Sequence, residues 1–201
     1  MPEDGGGAVS SLEEFWEGLE ARGVEPDLQA TLRARAGGAS RGIERVGDAA
    51  VVTAVAARLV QGDVPPEDLA AFLDAHFDEQ LGRGDERIGV MPRAELIPAG
   101  FRALEAAARA RHGTGFAESK EEDRDRLLAD AEAGRLEGEE GFDAAEWFRR
   151  TRDLLLLAYG SDPRGMVEMG FPGPSYATGH VWLDTFEVAR RAERAPGADR
   201  L

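Results

Sequence analysis

The chain has 201 residues, a formal net charge of −15 and no cysteine. A chain of this length can bury roughly 70% of its unfolded surface in one core, and the missing thiols exclude disulfides, thiolate metal sites and a cysteine nucleophile. The acidic balance argues against general binding to nucleic acid or anionic membrane, where a basic footprint supplies most of the affinity.

Residues 1–9 read as a flexible acidic and glycine-rich lead, and residues 195–201 as a similar tail. Between them, 10–194 reads as a single helical domain, with 10–42 as a loosely attached helical appendage. A first helix starts at Ser10 or Ser11, where Ser11 followed by Glu14 makes a capping box, and stops before Gly23. Pro26 suits the first turn of a second helix that runs towards Gly37 and Gly38. From Asp48 to Val60 the apolar residues recur at the spacing of a buried helix face. Pro65 and Pro66 then open a helix with Leu69, Phe72, Leu73, Phe77 and Leu81 on one side.

A long helix is predicted around 93–111, where Pro98 removes one backbone donor and predicts a kink or a late start. Ser119 with Glu122 reads as a second capping box, and Asp143 with Glu146 as a third. The last of these opens the strongest helix, FDAAEWFRRTRDLLLLAY, whose four successive leucines Leu154, Leu155, Leu156 and Leu157 point in four directions around its axis. Its final turns are therefore expected to be buried all round. No stretch alternates with period two, and no fixed-length repeat is present. The fold class is all-α, an irregular bundle of about seven helices with a long ordered Pro/Gly/aromatic loop near the C-terminus.

That loop, residues 160–182, combines turn formers with Met, Phe, Tyr and Trp. Loops of such length are uncommon in compact domains and are usually functional or disordered, and disordered segments lack aromatics. Two readings follow. The aromatics pin the turns to the core, or the rigid backbone presents Met166, Met169, Phe171 and Tyr176 to another protein.

Catalytic constellations are sparse. There is no GxGxxG after a strand, no GxxxxGK[ST] and no HExxH, so neither catalytic, cofactor-binding nor metal-binding residues are assigned. Asp74, His76, Asp78 and Glu79 resemble metal ligands on paper, but residues two apart on a helix diverge, which favours a solvated acidic face. Arg149, Arg150 and Arg152 are expected to pair with Glu146 or Asp153, with an anion or partner site as the alternative.

Residues 101–116, FRALEAAARARHGTGF, and 119–134, SKEEDRDRLLADAEAG, are two helical segments that end in Gly-x-x-Phe and in Gly. With 142–163, FDAAEWFRRTRDLLLLAYGSDP, and 169–174, MGFPGP, they occur in an order that resembles the gluconate 2-dehydrogenase subunit 3 family. The likeness is clearest over 94–182. It implies a non-catalytic accessory subunit that binds and stabilises an FAD-dependent oxidoreductase of the glucose-methanol-choline type acting on sugars or alcohols. FAD would then sit in the partner and no cofactor in this chain. The partner contact is assigned to the C-terminal helix and loop: Trp147, Ser161, Asp162, Pro163, Met166 and Met169, then Gly170, Phe171, Pro172, Gly173 and Pro174, and finally Tyr176, His180 and Trp182. The alternatives are a stand-alone acidic helical enzyme using His180 and a regulatory adaptor. No export signal or twin-arginine motif is visible, so a cytoplasmic location is expected.

Overall fold

Described in a computed structural model, residues 10–36, 42–78 and 91–171 form eight helices and, among these described residues, no strand. They are α1 (Leu12–Ala21), α2 (Pro26–Ala36), α3 (Ala49–Leu59), α4 (Pro66–His76), α5 (Arg93–His112), α6 (Glu121–Glu132), α7 (Ala144–Ser161) and α8 (Pro163–Glu168). The all-α expectation holds, with one helix more than the sequence pattern suggested.

Local chemistry explains most helix ends. Ser11, Asp48 and Asp143 cap α1, α3 and α7 by accepting the amides of Glu14, Ala50 and Glu146. Glu14 reaches back to Ser10, accepting its amide at 2.8 Å and its hydroxyl at 2.7 Å, which draws the Glu14 carboxyl below its ordinary range. The box predicted at Ser119 does not form. That hydroxyl donates to the Gly115 carbonyl at 2.8 Å, within the turn after α5, and Lys120 precedes α6 without a side-chain cap. Nor does α5 start late at Pro98. It begins at Arg93, because burial of Leu96 and Ile97 holds the preceding turn in the helix. The helix predicted to reach Leu81 closes at His76, and Leu81 lies outside the described residues.

At the centre, α7 packs against α3, α4, α5, α6 and α8. Trp147 is its fully buried anchor. The indole Nε1 donates to the Ile97 carbonyl at 3.1 Å, and the ring meets Phe101 edge-on with centroids 5.4 Å apart. Gly100 makes room for it, since a Cβ there would lie 2.1 Å from the Trp147 ring. Trp147 was assigned to the partner contact. That assignment is corrected here, because a side chain with no exposed surface is spent on the core.

Phe15, Leu19, Val24 and Leu32 of the first two helices and their joining turn form a separate small core, against which Trp16, Leu28, Met166 and Val167 pack. Helices α3–α7 share the main core, from Val46 to Ala158. Asp74 also departs from expectation. It is buried, not solvated, and its carboxylate accepts the amides of Arg45 at 2.8 Å and Val46 at 2.7 Å, fixing the segment that leads into α3.

Replacing Gly100 by Ala forces Trp147 off its seat. Chemical denaturation of G100A is expected to show a loss of about 1–3 kcal/mol, the usual cost of overpacking a core. Unchanged stability would mean that the ring moves freely.

Candidate functional site

The C-terminal corner of the described chain is built by the join of α7 to α8. Asp162 closes α7 and caps α8 by accepting the Arg164 amide at 2.9 Å, and Pro163 occupies the first helical position. The segment predicted as continuous loop from residue 160 is therefore helical over Pro163–Glu168. Gly165 permits the sharp return, since a Cβ there would lie 2.2 Å from the Tyr159 carbonyl oxygen.

Two polar ties hold α8 to the body. The Arg164 guanidinium lies 2.7 Å from Asp162 and 2.7 Å from Asp68 on α4, and these carboxylates, led by Asp162, raise its pKa. At the other end, Glu168 accepts the Asp63 amide at 2.8 Å and the Tyr159 hydroxyl. These bonds draw the Glu168 carboxyl down, while burial first and Glu168 second push the Tyr159 hydroxyl up to about 12.

The outer side of this corner is apolar. Leu154 and Leu155 are buried, but Leu156 is 49% and Leu157 46% exposed, which corrects the expectation of all-round burial. Near its C-terminal end α7 has the core on one side only, and a helix so placed cannot bury four consecutive side chains. Residues four earlier, Arg152 and Asp153, already marked that outer face as solvent-facing. Met169, 56% exposed, extends the surface, its Cε lying 3.7 Å from the place of a Cβ at Gly160, one turn beyond Leu156. Phe171 is 39% exposed at the end of the turn, its amide bonded to the Met166 carbonyl at 2.8 Å.

Among the residues assigned to a partner, then, Met169 and Phe171 face outwards, Asp162 and Pro163 are buried in the join, and Ser161, Met166 and Gly170 are half-buried. Pro172, Gly173, Pro174, Tyr176, His180 and Trp182 lie outside the described residues. Leu156 and Leu157 were missed. So was α8, although Asp162-Pro163 is a cap followed by a favoured first residue.

Elsewhere the chemistry is structural. Glu146 receives Arg149 at 2.8 Å and Arg150 at 2.6 Å, and these bonds, with Arg149 foremost, draw its pKa down to about 2. The predicted ion pairing holds. Asp78 pairs with Arg45, the His76 ring lies against Phe72 with centroids 4.2 Å apart, and Glu79 is outside the described residues. Among the described residues no group of three His, Asp or Glu side chains is arranged to hold a metal. Residues 38–42, GASRG, have the Gly-x-Ser-x-Gly spacing of a nucleophile elbow, a match missed in reading the sequence. That elbow follows a strand, whereas here α2 comes before it. No helix among the described residues is long and apolar enough to cross a membrane.

The family model described as Gluconate 2-dehydrogenase subunit 3 matches residues 47–173, and the chain belongs to that family. The match takes in α3 and α4, where the likeness read from the sequence is weaker than over 94–182. Membership implies association with a gluconate 2-dehydrogenase complex. Neither the curated proteins nor the solved structures contain a match.

If Glu168 and burial hold the Tyr159 proton, Tyr159 ionises near pH 12 and not near 10. Because the folded pKa is the raised one, the stabilisation is complete below pH 10 and is lost as pH rises through 12. Ultraviolet titration should show a late phenolate step that Tyr159→Phe removes. With Tyr176 as the chain's other tyrosine, loss of a step near 10 in Tyr159→Phe, in place of the late one, would show that the tie does not hold.

Proposed function

We propose that this chain is a non-catalytic accessory subunit that binds an FAD-dependent oxidoreductase of the glucose-methanol-choline type, acting on sugars or alcohols, through the α7–α8 corner. The observation that carries the reading is the collection of Leu156, Leu157, Met169 and Phe171 at one corner, since these are the exposed large apolar side chains among the described residues. Apolar patches of this kind on an otherwise charged surface mark contact sites, and Met and aromatic side chains are favoured at interface centres. The corner lies inside the family-matched region. FAD resides in the partner on this reading. By binding the folded flavoprotein and not its unfolded chain, the subunit stabilises it by mass action.

Co-expression of the full chain with its oxidoreductase subunit should yield a complex that co-purifies through size exclusion. The double variant Leu157→Asp, Met169→Asp is expected to weaken it by about tenfold or more, as hot-spot truncations do, with helical content retained. Failure to co-purify would overturn the partner assignment. Full affinity in the double variant would move the contact away from this corner.

A further inference from the structure

We infer that α1 and α2 form a removable cover over α8, and that their departure enlarges the surface offered to the dehydrogenase subunit. The inference rests on the reading of the α7–α8 corner as the docking surface.

The first observation is the division of the core. Met166 and Val167 of α8 turn their apolar side chains to Phe15, Leu19, Val24 and Leu32, in a cluster to which α3–α7 contribute no residue. Both α1 and α2 pack on α8. They also lie outside the family-matched residues 47–173, so the cover is an addition to the part of the chain that carries the family's pattern.

A second observation is the unequal fastening on the two sides of α8. Arg164 with Asp68, and Glu168 with the Asp63 amide and the Tyr159 hydroxyl, tie α8 to the body by charge-assisted bonds. Within the cover, Glu20 meets Arg33 at 3.1 Å, and the Arg33 guanidinium stacks 4.4 Å over the Trp16 ring. Arg35 reaches across to the Ser161 carbonyl at 3.4 Å, long for such a bond.

Third, α2 stands off from the body. A cleft of about 490 Å³ runs between it and α4, with Thr31, Ala34 and Arg35 on one wall and Leu69, Phe72 and His76 on the other. Apolar burial on α8 is therefore the main seat of the cover, and α8 keeps its own ties to the body when the cover leaves. Opening adds Met166 and Val167 to the surface that already includes Met169 and Phe171. While the cover is closed, the apparent affinity is reduced by the fraction of molecules that are open.

The test pairs native-state hydrogen exchange of the full chain with the affinity of full-length Leu32→Asp and Phe15→Ser variants for the co-expressed oxidoreductase subunit. Amides of α1 and α2 are expected to exchange through an opening well below global unfolding, with α7 still protected. Both variants should bind about fivefold more tightly or better, the lower end of common coupling strengths. If α1 and α2 exchange only with global unfolding, the cover does not open and the inference falls while the docking reading stands. Weaker or unchanged binding by the variants overturns it too, and weaker binding makes the pair part of the docking surface. If neither the natural chain nor the variants bind, the docking reading fails and the inference with it.

Discussion

The seating of Trp147 on Gly100 is the constraint on which the other contacts depend. A full indole is buried between α5 and α7 because one residue of α5 has no side chain and the Ile97 carbonyl receives the indole N–H. An unpaired indole N–H at full burial would cost a few kcal/mol, so packing and hydrogen bonding select the same register. Once α7 is fixed against α5, its remaining faces are assigned. Leu154, Leu155 and Ala158 turn to the core, and Leu156 and Leu157 are left outside.

From that register the corner follows. The end of α7 sets the position of Asp162, which caps α8 and holds Arg164, and Arg164 reaches Asp68 on α4. A six-residue helix has little stability of its own. Here it is held by a cap, two ion pairs, the Glu168 tie and apolar contacts on α1 and α2. One short element thereby joins the main core, the small N-terminal core and the apolar surface.

Much of the fold was legible because its signals are local. Caps at Ser11, Asp48 and Asp143, prolines at 26 and 66, and helical apolar spacing each act within a turn or two. The family resemblance was legible for a similar reason, its motifs lying at helix ends. What was misread depends on distant partners. Trp147 looked like a contact residue because nothing near it in sequence announces the space made by Gly100. Asp74 looked solvent-facing because the amides it accepts lie some thirty residues earlier. Two misreadings had local remedies: Arg152 and Asp153 mark the exposed face one turn before Leu156 and Leu157, and Asp162-Pro163 announces α8.

The central claim is that the register of α7 places a docking face at its C-terminal end. Site-specific photo-crosslinking tests it most directly, with a photoreactive residue at position 157 in one sample and at position 126, on the exposed side of α6, in another. The account predicts crosslinks to the oxidoreductase subunit from 157 and none from 126. Crosslinks from 126 with none from 157 would contradict it.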